Sequence, residues 1–160
     1  MTQLKCIKLV LGAAALALVA SHASAQDQRP GYGTPVTVSQ AKKIAAGVVA
    51  ECQTNKWNVA VAVVDNHGLL IYFERMEDTQ TASSQIAIMK AKAAATYRRP
   101  TRVFMEGINK TPATATLPGV VGSPGGNPIF VGGKVIGAVG VSGVTGDQDE
   151  QCSKAGLGGT

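Results

Sequence analysis

The sequence predicts an α+β fold: one domain built on an antiparallel sheet of two hairpins, with helices flanking it. Two observations carry this. Two β-rich apolar runs fold back on themselves through short turns, one at "NHG" and one at "GG". Between and around them lie segments rich in helix formers or with apolar residues three and four apart.

The chain has 160 residues, and its first 25 read as a signal peptide. Lys5 and Lys8 precede a short apolar run from Leu9 to Ala20, well under the roughly 20 residues of a membrane span. Ala23-Ser24-Ala25 supplies small residues at a cleavage site before Gln26. Residues 26–35 are polar, with Gly and Pro, and read as a flexible leader; 36–160 is the folded domain. In "VTVSQAKKIAAGVVAECQ" Thr37 and Gln40 have capping-box spacing, and Ala41, Ile44, Ala45, Val48 and Cys52 form one apolar helix face. Trp57–Asp65 is a largely apolar strand, Gly68 supplies a turn, and "LLIYFER" returns. "SSQIAIMKAKAAATYRRP" predicts a helix capped by Ser83 or Ser84 and stopped at Pro100. Thr101 can cap a short helix through Phe104 and Ile108. A long loop rich in Gly and Pro follows, of a length more often functional than idle. Gly132-Gly133 then joins a short strand to a long one. Thr145 and Asp147 are candidate caps for the last helix.

Composition narrows the function. Without Lys5 and Lys8 the net charge falls to about +3, and aromatics make up 4% of the chain, so no basic, aromatic-laced nucleic-acid surface is expected. Export removes Cys6 and leaves Cys52 and Cys152, either a disulfide closing a loop of about 100 residues or two separately buried thiols. No stable membrane anchor remains after cleavage, and the protein is expected to be periplasmic or secreted.

"GAVGVSGVTG" places glycines at Gly137, Gly140, Gly143 and Gly146. No Lys-Ser/Thr pair completes a P-loop, no GxGxxG occurs, and four glycines without Pro do not make collagen. What remains is a slim strand approached closely by a helix or by a flat ligand.

Other candidates are sparse. His67 is the only imidazole of the mature chain, either an iron or proton ligand or a solvated turn residue. Glu74 and Glu77, with Asp78, could hold a hard cation or form a solvated loop. Tyr97, Arg98, Arg99 and Arg102 cluster at a helix end, where the cations suit either the helix dipole or a carboxylate ligand. No histidine lies near Ser142, Thr145 and Asp149, so no catalytic set is visible.

Taken in order, "VAVAVVDNHGLLIYFERMED", "IAIMKAKAAATYRRPT" and "GGNPIFVGGKVIGAVGVSGVTGDQDE" resemble the GlcG/HbpS family of small haem-binding, haem-degrading-domain proteins. The resemblance implies a profilin- or PAS-like α+β domain, a homo-oligomer, and haem or another small molecule as ligand, with a weak haem-degrading activity possible in such a family. It marks Asp65, Glu74, Arg75, Lys90, Ser142, Asp149 and Glu150 as motif positions. Some relatives are thought to ligate haem through a histidine of the first helix, which here has none. The resemblance then implies His67 as the strongest iron ligand, with a Tyr, Met or Thr as substitute. Haem would lie near Tyr97 and Gly143, its propionates on Arg98, Arg99 or Arg102. The other reading is a non-haem accessory protein of a periplasmic oxidation pathway.

Overall fold

The computed structural model describes residues 29–158; the expected signal peptide and the first residues of the expected leader lie outside the described residues. Helix α1 is Val38–Thr54, strands β1 and β2 are Ala60–Asp65 and Leu70–Arg75, and helices α2 and α3 are Thr81–Tyr97 and Arg102–Lys110. A 3-10 turn, Pro112–Thr116, leads to β3 (Gly126–Val131), β4 (Lys134–Ser142) and helix α4 (Gly146–Leu157). The sheet runs β2-β1-β4-β3 and every pair is antiparallel, so the two hairpins join through their inner strands, Val61 opposite Val141.

Alternating valine and alanine in "VAVAVV" set the layers, because successive strand residues face opposite sides. Val59, Val61 and Val63, with Val139 and Val141, meet Ile44 and Val48 of α1 and Cys152 of α4. Ala60, Ala62 and Ala138 face the other way, against Ala87, Ala91, Ala94 and Ala95 of α2. One face is therefore ordinary core; the other is an alanine surface on which α2 rides very close. Cys52 and Cys152 form a disulfide, Cα to Cα 5.7 Å, that ties α1 to α4.

Capping follows the sequence in part. Thr37 with Gln40 and Thr145 with Gln148 make the two capping boxes, while Asp147 lies in the first turn of α4 instead of capping it. Helix α2 begins at Thr81, ahead of the expected serine caps, because Ser83 turns inward and its hydroxyl lies 3.3 Å from that of Ser142. Thr101 is not a side-chain cap: its hydroxyl accepts from the Gly126 N–H (3.0 Å), pinning β3 to the start of α3. The expected leader is held from Pro30 onward, with Tyr32 bridged to Val135.

Candidate functional site

The antiparallel register gathers four chain reversals into two ends of the sheet. At one end β1 finishes, β2 and β4 begin and β3 finishes. This end carries His67 in the β1–β2 turn. The Asp65 carboxylate shapes that turn by accepting the N–H groups of His67 (2.8 Å) and Leu69 (2.9 Å). Gly68 takes φ 81° here, which presents the exposed imidazole outward between Asn66 and Leu69. Leu69 beside it is 64% exposed, and Leu70, Phe130, Val131 and Tyr32 at the same end are each about half-exposed. A Cβ built on Gly68 would lie 3.3 Å from Thr96 Cγ2 and 3.7 Å from Lys92 Cγ, so the turn stands directly over the last turns of α2. The Arg98 guanidinium there lies 5.1 Å from the centre of the Tyr32 ring and donates to the Pro30 carbonyl. One imidazole, a set of exposed apolar side chains and the cations Lys92, Arg98 and Lys134 thus share one end of the molecule.

The opposite end is polar. A cleft of about 520 Å³ lies between the end of α1 and the end of β2, lined by residues including Lys56, Glu74, Arg75, Glu77 and Asp78. Glu74 accepts the Tyr72 hydroxyl (2.9 Å), and this hydrogen bond raises the Tyr72 phenol above its ordinary value. Glu74 and Glu77, the expected cation position, both line this cleft, and among the described residues no three His, Cys, Asp or Glu side chains converge as metal ligands.

Several sequence candidates serve the fold instead. At Gly143 the chain's own backbone fills the space a side chain would take, since a Cβ there would sit 2.2 Å from the Asn58 carbonyl oxygen. At Gly140 the close neighbour is α2, with the Ala87 carbonyl oxygen 2.1 Å from such a Cβ. Tyr97 is committed: its hydroxyl donates to the Pro118 carbonyl (2.8 Å) and its ring meets Phe104 edge-on at 5.0 Å. Arg99 lies over the Phe104 ring at 5.9 Å. Arg102 is turned toward α4, paired with Asp147 and Glu150, and Lys154 joins Glu150 at 3.0 Å. Of the arginine cluster, only Arg98 faces the His67 end.

The remaining motif positions form a buried ion pair that sequence reasoning did not bring together. Lys90 Nζ donates to Asp149 (2.8 Å) and to the Val141 carbonyl (3.0 Å), with both side chains almost wholly buried. Burial pushes the Asp149 carboxyl above its ordinary value, against the opposing pull of Lys90 and of the Val144 and Gly143 N–H groups. The pair ties α2, β4 and α4 together. The resemblance marked Lys90 and Asp149 separately as motif positions, and no spacing in the sequence pairs them.

The chain is thus a single α+β domain with a histidine-bearing apolar end and a separate buried polar tie. A family model described as "Haem degrading protein HbpS-like" matches residues 36–158, and the chain belongs to that HbpS-like family. Protein GlcG of Escherichia coli K12 is 42% identical over 112 residues, covering 68% of this chain and 84% of that protein. An HbpS variant of Streptomyces reticuli superposes with a TM-score of 0.74 at 30% identity, covering 79% of this chain and 87% of the other. PduOC, solved as a haem complex, shares the fold with a TM-score of 0.73 at 23% identity, covering 79% of this chain and 96% of that one. Among the described residues no helix is long and apolar enough to cross a membrane.

Proposed function

We propose that this chain is an exported haem-binding protein that takes the porphyrin at the His67 end of the sheet. The observation that carries the reading is the exposed imidazole flanked by exposed Leu69 and Leu70 above the cationic end of α2. Family membership supports haem as the ligand class, since the family is named for haem degradation. The residues fit the group. An imidazole is a strong nitrogen donor for iron, leucine side chains suit the porphyrin face, and Lys92, Lys134 and Arg98 suit its carboxylates. Haem, when bound, supplies a redox-active iron. The chain's part is to hold His67 in a fixed turn through Asp65 and to shield one side of the ligand. Export is supported by the Cys52–Cys152 disulfide, which belongs to an oxidising compartment. A second copy of the chain docked on this end would cover the same leucines, so oligomeric state belongs to the test.

The experiment is titration of the protein with hemin, followed by the Soret band and by sedimentation. Saturable binding with a shifted Soret band is expected, and His67→Ala should weaken it by at least about tenfold, or roughly 1.4 kcal/mol. Unchanged spectrum and affinity in H67A removes His67 as ligand. No saturable shift in the wild type removes the haem reading and favours the non-haem accessory role, for which the polar cleft at Glu74–Asp78 is the place to search.

A further inference from the structure

We propose that residues 30–36 are a releasable strap that closes the His67 end, and that ligand binding there competes with the strap for Arg98. The inference deepens the haem reading and rests on it for the identity of the competitor.

The strap crosses the end of the sheet from α2 to β4. Its backbone bonds are few: Gly33 N–H to the Val135 carbonyl, Val135 N–H to the Gly31 carbonyl, and Val36 N–H to the Ile136 carbonyl. Side chains add the rest. Asn66 Nδ2 donates to the Gly33 carbonyl (2.6 Å), the Tyr32 hydroxyl to the Thr96 carbonyl (2.9 Å), and Arg98 Nη1 to the Pro30 carbonyl (3.0 Å). Asn66 and Thr96 flank the very turn that presents His67.

Two features make this closure easy to undo. Burial holds only the far end: Val36 is in the core, but no residue from Pro30 to Pro35 is buried, so little apolar area is lost on release. The strap also closes at a cost. Asn66 is only 6% exposed and its Oδ1 accepts no hydrogen bond from the described residues, so lifting the strap lets water reach a buried, unsatisfied acceptor. Gly31 and Gly33 on either side of Tyr32 give the segment the backbone freedom to swing on Val36.

Arg98 links strap and ligand. In the closed state its guanidinium serves a neutral carbonyl and the Tyr32 ring. A porphyrin carboxylate offers a charge-assisted, bidentate partner, which is the stronger bond. A carboxylate-bearing ligand held by His67 therefore draws Arg98 away from Pro30 and releases the strap.

Hydrogen exchange by mass spectrometry, with and without hemin, tests this, with Tyr32→Ala as the perturbation. In the free protein the Gly33 amide should exchange about 100-fold faster than those of Val139 and Val141. Hemin should speed strap exchange further while slowing it in the 66–70 turn. Y32A, which loosens the strap without touching His67, should raise the apparent hemin affinity about three- to tenfold with the same Soret band, because the competent fraction grows. Strap amides as slow as those of β4 overturn the releasable strap directly, whether or not hemin binds. Fast strap exchange that hemin leaves unchanged, together with unaltered affinity in Y32A, overturns the competition. Absence of any hemin binding removes the haem reading and the competition with it, while the exchange rates still decide whether the strap opens.

Discussion

Replacing Gly140 by alanine tests the tightest glycine contact among the described residues. Gly140 lies in β4 and faces α2, in the alanine layer with Ala60, Ala62 and Ala138. A Cβ there would stand 2.1 Å from the Ala87 carbonyl oxygen and 2.5 Å from the Ala91 nitrogen. Ordinary carbon contacts lie near 3.5 Å, so α2 must move away by about an ångström. The neighbouring alanines cannot follow, and the contacts between Ala62, Ala91 and Ala94 loosen together. Overpacking of this kind costs about 3 kcal/mol, the upper part of the usual range, because backbone and not a side-chain tip is displaced. For a domain of this size that lowers Tm by roughly 10–15 °C. Gly31→Ala is the control, since nothing lies within 4 Å of its Cβ position and no positive φ is required. Thermal and urea unfolding of both variants should show a large loss for G140A and almost none for G31A. A G140A variant within about 0.5 kcal/mol of wild type would show that α2 is not seated on this strand as described, because a backbone clash of this depth cannot be absorbed by side-chain motion.

Further outcomes follow from the other ties. Lys90→Met leaves Asp149 buried without its cation and should cost about 3–5 kcal/mol in urea unfolding. Because burial raises the Asp149 carboxyl in the folded protein, the native state there holds its proton more tightly than the unfolded state. The K90M deficit should therefore shrink as pH falls from above that raised value toward the unfolded value of about 4, and a deficit that grows on acidification refutes this. Reducing the Cys52–Cys152 disulfide, or the double Cys→Ala variant, should lower stability by about 4 kcal/mol for a closed loop of 100 residues; an unchanged urea midpoint would count against the cross-link. Asp65→Ala removes both bonds that shape the His67 turn and should weaken hemin binding about tenfold while costing only about 1–2 kcal/mol of stability. Equal hemin affinity in D65A would mean that the turn needs no preorganisation.

The elements were legible because each depends on local chemistry. The capping box at Thr37, the cap at Thr145, the positive-φ turn at Gly68 and the Gly132-Gly133 hairpin all join residues a few positions apart. Even the glycine spacing in "GAVGVSGVTG" is read correctly as a slim strand, with the helix and not a flat ligand as the neighbour at Gly140. The site was legible only in fragments. His67 was singled out because it is the one imidazole beyond the expected signal peptide, but its company was not visible. Leu69 read as a strand residue, Arg98 as either a helix-end cation or a carboxylate partner, and Lys92 was not singled out. Tyr97 and Arg102, by contrast, carried the right chemistry and the wrong direction, one bonded to Pro118 and the other to Asp147 and Glu150.

By itself the sequence determined the inventory: two hairpins, their order among the helices, His67 in the first turn, and Cys52 and Cys152 about 100 residues apart. Those follow from side-chain periodicity, turn chemistry and composition, which act over a few residues. Tertiary structure decided which residues meet. Antiparallel pairing of β1 with β4 brought residues 66–70, 92–98 and 130–135 to one end, and closed the Lys90–Asp149 pair across 59 positions. Such meetings depend on strand register and on how close α2 lies to its alanine face, and no local pattern in the chain specifies either.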